Sequence, residues 1–86
     1  MELIQQFETA VAQSKMLQSK PDNETLLKLY SLYKQATDGD INIEEPTNLF
    51  DFVGKAKYNA WQELKGITKD DAMNKYIALV ETLKAN

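Results

Sequence analysis

Cysteine is absent from this sequence, and with it any disulfide staple or thiolate metal site, so a small fold must be held together by packing alone. Histidine is absent too, which removes the usual general base near neutral pH, the usual zinc ligand and the Ser-His and Cys-His nucleophile arrangements. Catalysis is therefore not expected. All ten cations are lysine. Without an arginine fork, an anionic ligand has to be met by several ammonium groups acting as point charges. No apolar run approaches the roughly 20 residues that span a bilayer, and the opening MELIQQFETAVAQSK has neither the basic start nor the apolar middle of a secretory signal. A soluble, cytoplasmic protein without stable membrane insertion is expected. Thirteen acidic residues against ten basic ones leave a net charge of −3, which argues against a nucleic-acid binder.

What is present is helical periodicity in a chain of 86 residues, 43% of them hydrophobic, short enough to form one domain over 1–86 around one core. Leu3, Phe7, Ala10, Val11 and Ser14 stand at helical spacing, which predicts an amphipathic helix ending near Leu17. Lys20-Pro21-Asp22 breaks the pattern and offers Asp22 as the N-cap of a second helix, about Asn23 to Thr37. There Leu29, Leu32, Tyr33 and Ala36 form one stripe, and Leu26, Leu27 and Tyr30 carry the apolar arc past it, with Lys34 at its edge. That arc is too wide for one neighbour. Either the helix packs against two partners, or part of the arc lines a groove that a ligand fills.

Tyr30, Tyr33 and Lys34 lie at i, i+3 and i+4, so two phenol rings and an ammonium group share a face suited to something flat and anionic. The helix stops at Asp38-Gly39-Asp40, and from Gly39 to about Phe50 no period holds, a long connection for a compact domain. The third segment, Phe52 to Lys65, sets Phe52, Ala56, Ala60 and Leu64 near one side and Lys57, Trp61 and Leu64 on an adjoining strip. Gly66 ends it, Thr68 and Asp71 resemble a capping box, and Ala72, Met73, Tyr76, Ile77, Val80 and Leu83 form a last stripe. Four such segments predict an all-α four-helix bundle. Each notable side chain also has an ordinary reading: Trp61 as a core or rim anchor, Met73 as gap filling, Tyr76 as core, Lys34 and Lys57 as solvated cations. Asp38, Asp40, Glu44 and Glu45 read as solvated turn residues, and without EF-hand spacing no metal site is expected.

Longer motifs go further. Tyr30 through Thr37 (YSLYKQAT), Gly39 through Asn42 (GDIN), Lys55 through Trp61 (KAKYNAW), and Lys65-Gly66 through Asp71-Ala72-Met73 resemble the acyl-CoA-binding protein family over nearly the whole chain. The resemblance implies an up-down-down-up four-helix bundle with a long connection between helices 2 and 3. It implies a monomer that binds one long-chain acyl-CoA thioester, carries and buffers it, performs no chemistry, and uses no cofactor. Carried over by position, Tyr30, Lys34 and Lys57 match the residues that meet the ribose 3′-phosphate, and Tyr33 matches the ring stacked on adenine. Tyr76 matches a ring lining the nucleotide site, Lys15 a further basic contact, and Leu26 and Leu27 the apolar positions beside the acyl chain. The chain departs from the family pattern at Val53 and Glu45, where basic residues are common, at Tyr58, where Trp is frequent, and in one extra residue between Pro46 and Asp51. Two other readings are a helical protein-interaction module that has lost its ligand, and a CoA-ester enzyme, which the lack of His and Cys disfavours.

Overall fold

In a computed structural model of the chain, which describes residues 2–85, the periodic segments become α1 (Leu3–Ser14), α2 (Asn23–Thr37), α3 (Phe52–Gln62) and α4 (Lys69–Lys84). There is no strand among the described residues. Three of the four starts are capped by a side chain. Asp22 Oδ1 accepts from the Thr25 amide at 2.8 Å, Asp51 Oδ1 from Gly54 at 2.9 Å and Thr68 Oγ1 from Asp71 at 3.1 Å. Each such cap is worth about 1 kcal/mol. The cap at Asp51 also explains a residue choice: a Cβ on Gly54 would collide with the Asp51 carboxylate.

Two helix ends differ from the sequence expectation. α1 stops at Ser14 instead of near Leu17, because the amides of Lys15 and Met16 bond to Ala12 and Gln13, three residues back. α3 stops at Gln62 instead of Lys65, because Leu64 and Lys65 bond to Trp61 and Gln62 in the same tightened pattern. Both turns keep apolar residues near helical spacing. α2 ends where expected, with Gly39 at φ +84° and its amide donating to Gln35 O at 3.2 Å.

α4 is the central support. α1 and α2 each pack on α4, α3 packs on α2, and the backbones of α1 and α2 do not approach one another. The Cα positions extend 41 × 28 × 15 Å, a flattened shape that cannot enclose all the apolar surface of its helices. The core is formed by Phe7 and Ala10 of α1, Leu29, Leu32 and Ala36 of α2, and Ala72, Tyr76 and Val80 of α4. No helix among the described residues is long and apolar enough to cross a membrane.

A polar hub fixes the start of the long α2–α3 connection. Gln35, fully buried, donates from Nε2 to Asp40 Oδ1 at 2.9 Å and to Ile67 O at 2.7 Å, and the Gly66 amide donates to the same Asp40 oxygen at 2.9 Å. Trp61 Nε1 donates to Gly39 O at 2.9 Å. Asp40, although exposed, is therefore more than a solvated turn residue. The Gly66 amide, and after it the Gln35 amide, hold its carboxyl below the usual range.

Candidate functional site

The gap between α1 and α2 is a cleft of about 660 Å³ with α4 at its base. Phe7, Val11 and Lys15 line it from α1, Tyr33 and Ala36 from α2, and Lys69 and Met73 from α4. Phe7 organises the aromatic groups. Tyr76 meets its ring edge-on at 5.2 Å between centroids and 72° between planes, whereas Tyr33 lies nearly parallel to it at 5.9 Å and 28°. The two tyrosines end in opposite environments. Tyr76 is 3% exposed and donates its hydroxyl to Ser14 Oγ at 3.0 Å, while Tyr33 is 41% exposed. A flat group entering the cleft meets the Tyr33 ring, with Phe7 beside it, and does not meet Tyr76.

A second opening, of about 380 Å³, lies between α2 and α3. Leu26, Leu27 and Tyr30 form one wall and Phe52, Val53, Ala56 and Lys57 the other. Lys57 Nζ stands 5.1 Å from the centroid of the Tyr30 ring, within cation–π range. Phe52 and Val53 of this opening are strongly exposed, and so are Leu49 and Phe50, which precede them in the chain. Apolar surface gathered in this way marks a place where something binds.

Lys34 lies one turn beyond Tyr30 on α2. Its ammonium is 5.1 Å from the centroid of the buried Trp61 ring and 2.6 Å from Asp38 Oδ2. The hydrogen bond to Asp38 holds the lysine above its usual range, and the same bond holds Asp38 below the usual carboxylate range. Asp38, like Asp40, is engaged and not merely solvated.

The residues singled out from the sequence thus divide. Lys15 and Tyr33 line the first opening, Leu26, Leu27, Tyr30 and Lys57 the second, and Lys34 lies over Trp61. Tyr76 lies behind Phe7 in the core, lining neither opening. Phe7 and Phe52 join the openings without having been singled out as site residues, and Val53, noted only as a departure from the family pattern, joins the second. Phe7 read as core, which it also is. Phe52 stands at the spacing of Ala56, Ala60 and Leu64, yet it is 72% exposed. Among the described residues no group of three or more acidic, His or Cys side chains could hold a metal ion. The arrangement suits an amphiphile with a flat anionic end and an apolar tail, held by surface and charge.

Comparison with known proteins accords with that geometry. The family model described as Acyl CoA binding protein matches residues 4–80. Acyl-CoA-binding protein homolog 1 of Caenorhabditis elegans is 52% identical over 79 residues, 92% of this chain and 91% of that protein. Acyl-CoA-binding protein of Dictyostelium discoideum is 54% identical over 77 residues, 90% of each. The crystal structure of Oryza sativa acyl-CoA-binding protein 2 superposes with a TM-score of 0.89 at 36% identity, covering 95% of this chain and 90% of that one.

Proposed function

Because the chain belongs to the acyl-CoA-binding protein family, we propose that its openings hold the two ends of one long-chain acyl-CoA thioester, which the protein carries as a monomeric, single-domain cytoplasmic carrier without transforming it. Adenine stacks on Tyr33. The ribose 3′-phosphate is met by Lys34, Lys57 and the Tyr30 hydroxyl, with Lys15 as a further cation on the α1 side. The acyl chain lies along Leu26 and Leu27, where Phe52 and Val53 complete the apolar wall. Tyr76 supports the nucleotide end from one layer back, through Phe7.

The observation that carries this reading is the open face of α2, on which rings, an ammonium group and an apolar groove succeed one another within two turns. Each part has a physical reason: stacking needs a π-face, a phosphate needs charge-assisted donors, and an alkyl chain gains about 0.8 kcal/mol per CH₂ removed from water. Neither end suffices alone. Calorimetric titration should give saturable one-to-one binding of a long-chain acyl-CoA, far weaker binding of free CoA, and poor binding of the free fatty acid, with the thioester recovered intact. Trp61 fluorescence should follow the same curve, because Lys34 lies on its ring. A fatty acid that competed on equal terms with its CoA thioester would reduce the site to a generic lipid groove.

A further inference from the structure

Lys34, the cation assigned above to the ligand's 3′-phosphate, already has an anion of its own in Asp38, 2.6 Å away. Helix physics does not ask for a carboxylate there. Asp38 is the C-cap of α2, at the end of the helix dipole where negative charge is disfavoured and cations are favoured. The closing of the helix needs nothing from its side chain, since the left-handed Gly39 makes the terminal bond to Gln35 O. The order of the pair, lysine first and acid four residues later, is also the weaker orientation on a helix. A local rule is broken at the one residue that occupies the central cation of the site, and such breaks concentrate at functional positions.

We propose that Asp38 is an internal counter-anion, which holds Lys34 when no ligand is present, surrenders it to an incoming phosphate, and thereby limits affinity for the 3′-phosphorylated nucleotide. The inference rests on the phosphate reading of Lys34. An ammonium group has three donors and could serve both anions, but a phosphate and a carboxylate gathered on it stand close together and repel. For charges a few ångströms apart in largely aqueous surroundings, that repulsion corresponds to roughly three- to tenfold in binding. The pair is partly exposed, with side-chain exposures of 28% for Lys34 and 39% for Asp38, so the exchange needs no rearrangement of the fold. Thr37 and Lys69 adjoin Asp38 and can receive the released carboxylate, Thr37 by a hydrogen bond and Lys69 by its charge.

The test compares wild type, Asp38→Asn, Lys34→Ala and the double variant, each titrated at low salt with a long-chain acyl-CoA and with its 3′-dephospho analogue. Asp38→Asn should tighten acyl-CoA binding by roughly three- to tenfold, change the dephospho analogue by less than about twofold, and have a clearly smaller effect once Lys34 is gone, because the carboxylate then no longer competes for the ammonium group. The melting temperature of Asp38→Asn should stay close to that of wild type, because the lost ion pair is partly exposed and the charge opposed to the helix dipole is lost with it. Unchanged binding by Asp38→Asn, or equal tightening of both ligands, overturns the proposal, and weakened binding overturns it by making Asp38 a positioning residue for Lys34. A wild-type protein with no preference for the phosphorylated ligand is a separate outcome: the reading of Lys34 then falls and the inference falls with it.

Discussion

On one side of α2, Leu29, Leu32, Gln35 and Ala36 are buried in the core and its polar hub, whereas on the other Leu26, Leu27, Tyr30 and Tyr33 stay partly open beside two grooves. Phe7 stands where the two regimes meet. Of its two tyrosine neighbours, Tyr76 is sealed in because Ser14 accepts its hydroxyl proton, and Tyr33 remains at the surface. The difference shows that the wide apolar arc of α2 is not surplus core. Half of it holds the fold together, and half stays open at the two grooves, because α1 packs on α4 and not on α2, which leaves that half available to the ligand proposed above.

The largest effect should come from the closed side. Leu32→Ala should cost about 2 to 5 kcal/mol of stability in urea denaturation while leaving the affinity of the folded fraction unchanged. Leu27→Ala should do the reverse, losing ligand affinity with a smaller loss of stability. Equal stability losses for the two would break the division. Next, Tyr33→Ala should weaken acyl-CoA binding by roughly 1 to 3 kcal/mol, with Tyr33→Phe nearly silent, because stacking needs the ring and not the hydroxyl. Tyr30→Phe should not be silent, since a phosphate donor is removed. Identical behaviour of the two Phe variants, measured by calorimetry, would contradict the separate roles.

The smallest effect is one of pH. Asp40 has its pKa lowered from the ordinary 3.8 by the Gly66 and Gln35 donors, so the folded state favours its charged form. The stability this supplies is complete above the unfolded value of 3.8 and is lost as pH falls through the lower folded value. Asp40→Asn should therefore flatten the acid limb of the melting temperature below pH 4, about where the unfolded carboxyl begins to titrate, and leave acyl-CoA affinity at neutral pH intact. A steeper acid limb in the variant would show that the hub does not stabilise the charged form.

Most of the helical plan was legible, because 3.6-residue periodicity and the caps at Asp22 and Thr68 are local signals. The ends near Leu17 and Lys65 were not, since a tightened turn preserves apolar spacing while changing the hydrogen bond from four residues back to three. In the site, the Tyr30, Tyr33 and Lys34 spacing and the excess of Leu26 and Leu27 could be read directly. The pairing of Lys34 with Asp38 has the i, i+4 spacing of a helical ion pair, but the sequence reading gives Lys34 to the ligand and Asp38 to solvent. Gln35 meeting Ile67 and Lys34 meeting Trp61 join residues distant in sequence, which no local pattern reveals. Tyr76 shows the remaining limit: periodicity placed it on the inner stripe, and only the fold shows that Phe7 stands between it and Tyr33.

The central claim is that the open side of α2 recognises a nucleotide phosphate through Lys34, and one substitution tests it most directly. Lys34→Ala should lose roughly 1.5 to 3 kcal/mol of affinity for a long-chain acyl-CoA and very little for its 3′-dephospho analogue, because only the first ligand is left with charge unpaired. Ala is at least as good a helix former as Lys, so α2 should persist, and circular dichroism melting checks that it does. Full retention of affinity for the 3′-phosphorylated ligand, or matching losses for both ligands with a lowered melting temperature, would contradict the account.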